Sequence, residues 1–190
     1  MERLQGLKDV CLSGGADGAD IEWGLCAAST GHAVIHWSFP GHLSQASEDQ
    51  IVRLDDEQLK IANDAVSNAA TALGKVPPRH RKVSCFIQRN YYQVAWSEAC
   101  YAVTAIREDA PPGGTAWATT MFAQLHPENR NLYLFDQLKD GWFQFNGQSW
   151  DSIESPPRPK GIWAGIGSRD LQPNGRAAIR KLMGCPTDEA

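Results

Sequence analysis

Short apolar runs alternate with helix-period stretches along this chain of 190 residues. The runs fall within residues 8–13, 33–39, 99–106, 131–135 and 161–164. None reaches helix length, so each reads as a buried strand. The run at 99–106 is apolar without alternation, as expected of a central strand covered on both faces. Between the runs, apolar residues recur at spacings of three and four. Residues 17–30 place Ile21, Leu25 and Ala28 on one helical face, and Gly31 ends that helix at a left-handed cap. Residues 47–73 carry the longest such pattern, through Ile51, Leu54, Ile61, Ala65 and Ala72, and Ser47 with Gln50 resembles a capping box. One long helix is expected there. Further helices are expected at 116–125 and at 173–183, the latter opened by Pro173.

Strand, helix and strand across 8–39 make a βαβ unit, so those strands should be parallel. Aromatic residues alternate on either side of Asn146-Gly147, which signals a hairpin over 140–153 at the sheet edge. Three prolines in 155–160 make a rigid connector, not a domain boundary. The pattern as a whole is α/β: a doubly wound, mostly parallel sheet of about five strands in one domain, 1–190.

Three glycine turns stand at strand-to-helix junctions. The first is Ser13-Gly14-Gly15-Ala16-Asp17-Gly18-Ala19-Asp20. Glycine lets the backbone approach a ligand closely, and the helix N-terminus that follows offers unpaired N–H groups and a positive dipole end to an anion. The turn has neither the Gly-Lys-Ser/Thr of a Walker loop nor the G-x-G-x-x-G spacing. Its plain alternative is a tight connection in which Asp17 or Asp20 caps the helix. The second turn is Pro111-Pro112-Gly113-Gly114-Thr115, and the third is Gly165-Ile166-Gly167-Ser168-Arg169. Arg169 suits bidentate phosphate binding; its plain alternative is a surface salt bridge. All three turns should share the rim at the strands' carboxyl ends, where α/β sheets bind ligands. Gln88-Arg89-Asn90-Tyr91-Tyr92 adds a cation, an amide and stacking surfaces. Arg79-His80-Arg81-Lys82 reads either as an exposed loop or as a phosphate-facing edge.

Composition narrows the field. The formal net charge of -4 gives no general attraction to nucleic acid. No apolar stretch approaches a membrane span, and residues 1–9 do not read as a signal peptide. Five scattered cysteines without a C-x-x-C pair fit reduced thiols in a cytoplasm. His32, His36 and His42 lack metal-ligand spacing, so no metal site is expected. No G-x-S-x-G elbow is present, and Ser168 has no identifiable base.

The first turn and Ala164-Gly165-Ile166-Gly167-Ser168-Arg169 resemble the signatures of the SLOG superfamily, which joins DNA-processing protein A and Smf proteins with the Lonely Guy enzymes. The resemblance implies a Rossmann-like nucleotide-binding fold. The Gly-Ser-Arg turn usually precedes the Ser-Gly-Gly-Ala turn; here it comes last. The chain therefore resembles a circularly permuted branch that includes molybdenum-cofactor carrier proteins. Lonely Guy enzymes carry Pro-Gly-Gly-x-Gly-Thr-x-x-Glu, whereas this chain has Pro112-Gly113-Gly114-Thr115-Ala116-Trp117-Ala118-Thr119, one glycine short and without the glutamate.

The expected function is binding of a nucleotide or related phosphorylated ligand. The expected site comprises Ser13, Gly14, Gly15, Asp17, Gly18 and Asp20, then Arg89 and Asn90, Gly113, Gly114 and Thr115, and Gly167, Ser168 and Arg169. One alternative is hydrolysis of an N-glycosidic or phosphoester bond, with Asp17, Asp20 and Glu22 as candidate carboxylates. The other is carriage of a molybdenum cofactor by its phosphate. Analogy with dimeric relatives makes a homodimer an expectation; a nucleic-acid or membrane partner is not expected.

Overall fold

A computed structural model describes residues 6–108 and 110–186; residues 1–5, part of the segment weighed as a signal peptide, lie outside it. The described residues form eight strands and six α-helices. β1 (Val10–Ser13), α1 (Ala19–Ser29) and β2 (Ala33–Ser38) make the expected parallel unit. β3 (Ile51–Arg53), α2 (Asp56–Ile61), α3 (Asn63–Ala72) and α4 (Arg81–Val94) follow, then β4 (Ala99–Thr104) and α5 (Gly113–Leu125). β5 (Leu132–Asp136), the hairpin β6 (Gly141–Phe145) and β7 (Trp150–Ile153), β8 (Ile162–Gly167) and α6 (Pro173–Met183) complete it.

The sheet order is β3-β2-β1-β8-β4-β5-β6-β7. The first six of these strands are parallel, and β6 and β7 add antiparallel at the edge. The sheet is thus mixed and larger than the five strands expected. The last strand, β8, sits centrally between β1 and β4. From β1 the chain winds outward through β2 and β3; from β4 it winds the other way through β5. The carboxyl ends around β8 therefore lie at a switch point, the place where such sheets open a crevice.

One expectation fails for a physical reason and another holds in part. Residues 47–73 are not one helix. Ile51–Arg53 pair with His36–Ser38 as an edge strand. The capping box belongs to Asp55 and Gln58, whose side chains each accept the other's backbone N–H at 2.8 Å. The Ala62 N–H then bonds back to Leu59 O at 3.2 Å, a tightened turn that separates α2 from α3. The basic cluster at 79–82 is exposed as expected but only half loop: Arg79 and His80 precede the 14-residue α4, and Arg81 and Lys82 start it. Along α4, Val83, Phe86, Ile87, Tyr91 and Val94 recur at helical spacing, and Arg89, Asn90 and Gln93 are buried beside them.

Helices α1 and α6 cover one face of the sheet, and α2–α5 cover the other. The α1/α6 layer is aromatic: Trp23, Tyr101 and Trp163 pack with ring centroids 5.6–6.0 Å apart. Their polar atoms are placed, with Trp23 Nε1 donating to Ile166 O and the Tyr101 hydroxyl to Pro157 O. The opposite layer packs Val66, Ile87, Trp117 and Phe122 against Ala102, Leu134 and Ile166. No helix among the described residues is long and apolar enough to cross a membrane.

Candidate functional site

The first glycine turn is filled by the protein itself. A Cβ on Gly14 would collide with Arg89 Nη1 and Asp20 Oδ2. Those atoms form an ion pair at 3.1 Å, with Arg89 4% and Asp20 7% exposed. Burial lifts the Asp20 carboxyl above its ordinary range; Arg89 opposes that shift, as do the Gly167 amide and Gln93 to a smaller degree. Ser13 is fully buried, and its hydroxyl donates toward Asp20 O and Gly165 O. Gly18, at φ 91°, lets the chain pass against the backbone of Ser168 and Arg169, and the Ala19 N–H donates to Ser168 O at 3.0 Å. The N-terminus of α1 thus already holds a carboxylate of its own in Asp20.

His36 lies beneath this turn, 1% exposed, with both ring nitrogens unpartnered. Gly24 makes room for its ring. Burial, reinforced by Arg89, pulls its pKa down to about 4, so the ring is neutral at neutral pH. His42 is lowered to about 4 by burial first, then by Arg89, Arg169, Lys82 and His36. That roster of cations marks a positively charged corner of the rim.

The second turn is open. A cleft of about 380 Å³ runs along the carboxyl edge of β4 and β8. Thr104, Ile166, Gly167 and Ser168 contribute from the strand ends. Gly113, Gly114, Thr115 and Ala118 line it from α5, and Val83, Phe86, Ile87 and Asn90 from α4. Asp17, Asp20, Arg89, Gln93 and Arg169 complete its polar lining. The N–H groups of Gly113, Gly114 and Thr115 have no hydrogen-bond partner among the described residues, as expected for a first helical turn. No acidic residue occupies that turn. Asn90 Nδ2 donates to Gly114 O at 3.1 Å and ties α4 to the loop.

Three buried polar atoms of the lining residues lack partners: Thr104 Oγ1, Arg89 Nε and Gln93 Nε2. Arg169 is exposed, with its guanidinium carbon 5.0 Å from the centre of the Phe86 ring. It has no carboxylate partner among the described residues. Ser168 Oγ donates to Asp170 O at 2.9 Å and keeps this turn tight.

Ten of the expected site residues therefore line one cleft: Asp17, Asp20, Arg89, Asn90, Gly113, Gly114, Thr115, Gly167, Ser168 and Arg169. Ser13, Gly14, Gly15 and Gly18 do not line it; they shape the packing beneath. Glu22 lies apart from the cleft, 1% exposed and paired with Arg176 and with Arg180, the latter at 2.7 Å. It is a clamp between α1 and α6, not a carboxylate of the site. Thr104 and Phe86 were missed. A hydroxyl closing an otherwise apolar strand could have flagged Thr104; nothing in the local sequence distinguishes Phe86.

Two larger hollows, about 770 and 730 Å³, lie beside α2 and beside the β6–β7 hairpin. The smaller cleft is the one that joins unbonded helix amides, unpartnered buried donors and arginines. Among the described residues no group of three or more His, Cys, Asp or Glu is placed to hold a metal ion. Comparison with known proteins finds no matching family model, no matching curated protein and no matching solved structure.

Proposed function

We propose that this protein binds a phosphorylated small molecule, a nucleotide foremost, in the cleft between α4 and α5. The observation that carries this reading is the open N-terminus of α5 with Arg89 and Arg169 lining the same cleft. Unpaired amides and the positive dipole end suit a phosphate, and a guanidinium adds charge-assisted bonds. The unpartnered Thr104 hydroxyl supplies one further polar contact. Val83, Phe86, Ile87 and Ala118 give the cleft an apolar wall on which a base can pack. The volume lies within the usual range of small-ligand sites, roughly 300–1,000 Å³. The resemblance to the SLOG superfamily supports the same ligand class, and the central place of β8 agrees with a permuted order.

The test is calorimetry with matched nucleosides, nucleoside monophosphates and diphosphates. Phosphorylated members should bind and nucleosides should not, and Arg169→Ala should weaken binding about tenfold or more. Equal binding of nucleoside and nucleotide, or an unaffected variant, would overturn the reading.

Hydrolysis of such a ligand stands as a second reading, favoured by one observation. Asp17 is exposed at the cleft, with no ion-pair partner among the described residues, whereas Asp20 is held by Arg89. Product formation from a bound nucleotide should then vanish in Asp17→Ala while binding persists; unchanged turnover would exclude that role.

A further inference from the structure

The geometry points to a second chemically active place, at the ends of α1 and α6 away from the cleft: Cys26 and Cys185 form a dithiol that a peroxide converts to a disulfide. Cys26 lies on α1, and Cys185 follows Gly184, the left-handed cap that ends α6. The Cys185 thiol donates to the backbone carbonyl of Cys26 at 3.5 Å and meets Ser29 Oγ at 3.3 Å. The Cys26 thiol points to Glu22 Oε1 at 3.9 Å. The two thiols are thus neighbours across the α1/α6 junction, each in a hydrogen-bonded position. Cys11, Cys85 and Cys100 are buried in the core layers, away from a peroxide; of these, only Cys11 also has Cys26 as a neighbour, beside the Gly165 backbone.

The two sulfurs are not equivalent. Cys185 is half-buried and reachable, whereas Cys26 is 4% exposed. Burial pushes the Cys26 thiol up, and its neighbours Cys185 and Glu22 add to that shift while Arg180 opposes it. Oxidation therefore starts at Cys185. Its thiol is oxidised to sulfenic acid as the peroxide is reduced to water. The Cys26 sulfur then attacks the Cys185 sulfur, the S–OH bond breaks, and the departing hydroxide leaves as water with the Cys26 proton. In total, two thiols and one peroxide give one disulfide and two waters.

The bond would join the far ends of two helices whose near ends build the rim. Helix α1 begins at Asp20's turn, and α6 follows the turn of Ser168 and Arg169; the Ala19 N–H already bonds Ser168 O. A disulfide at the other end closes a very long loop of chain and constrains the unfolded state. This inference does not depend on what the cleft binds.

The experiment treats the full-length protein with stoichiometric hydrogen peroxide and maps its peptides under non-reducing conditions. The expected product is a Cys26–Cys185 linked peptide pair, with Tm raised by about 5–10 °C and restored by a thiol reductant. In Cys26→Ser the link is lost, and a sulfenic-acid trap labels Cys185. Sulfinic acid at Cys185 without a link in the unsubstituted protein would overturn the proposal. So would a link between other cysteines, or an unmodified Cys185. The peptide map of the unsubstituted protein decides the matter even if the variant fails to fold.

Discussion

The first and second glycine turns carry the same local signal and reach opposite states. Both follow a parallel strand and open a helix. At the first, Gly14 makes room for a buried Arg89–Asp20 pair, and the helix brings Asp20 and Glu22 in its own first turn. At the second, Gly113 and Gly114 leave three amides open to a cleft, and no carboxylate follows. A glycine therefore signals close approach without saying of what. At α1 the first amides are already met by backbone carbonyls, Ala19 N–H by Ser168 O and Ile21 N–H by Ala16 O, whereas those of Gly113, Gly114 and Thr115 have no such partner among the described residues.

The comparison breaks most readily at the ion pair. Arg89→Met should cost about 3–5 kcal/mol, because it leaves Asp20 buried and unpaired. The Arg89→Met/Asp20→Asn double variant should recover much of that loss in urea unfolding, since both charges are then gone. Equal losses in single and double variants would show that the pair is not what fills the turn. Next, Gly14→Ala should cost about 3 kcal/mol by displacing the pair. Gly114→Ala, whose Cβ meets only Asn90 Nδ2 at 3.8 Å, should change stability by no more than about 1 kcal/mol. Similar losses at both positions would erase the difference between the turns.

Acid sharpens the same contrast, because His36 lies under the filled turn only. Its folded pKa of about 4 lies below the ordinary 6.5. Between those values the unfolded chain binds a proton that the folded protein does not. Stability is therefore complete above pH 6.5 and falls as pH drops toward 4, by about 3 kcal/mol from this residue. His42 acts in the same direction. Chemical unfolding of His36→Leu across that window should show a shallower pH slope; an unchanged slope would remove His36 from the account.

The smallest stability effect belongs to the open turn's own cation. Arg169→Ala should shift unfolding by less than about 0.5 kcal/mol, as an exposed residue without an ion-pair partner. A large loss would mean that Arg169 supports the fold and is not held ready for a ligand.

Much of the fold was legible because short apolar strands and glycine turns are local signals. Strands β1, β2, β4 and β5, the Asn146-Gly147 hairpin and the start of α6 at Pro173 stand within two residues of where the pattern put them; β8 instead runs on to Gly167, so Gly165-Ile166-Gly167, expected in the third turn, pair with β4 as strand. Strand β3 was hidden because Ile51 and Val52 also fit the helical spacing of the residues after them. Helix α4 was legible in Val83, Phe86, Ile87, Tyr91 and Val94 at helical spacing but was passed over, because Gln88-Arg89-Asn90-Tyr91-Tyr92 reads as a ligand-facing cluster; that Arg89, Asn90 and Gln93 are buried depends on other segments. The site was legible as a rim and not as a cavity. Arg89 and Asp20 stand far apart in sequence, and only the fold shows that they meet over Gly14 and close the first turn.

The most direct test is an amide titration by NMR, adding a nucleoside monophosphate to the labelled protein. The account predicts saturable shifts at Gly113, Gly114 and Thr115, with Gly14 and Gly15 unmoved. Shifts centred on Gly14 and Gly15, with the α5 amides silent, would contradict it and place the anion on the first turn.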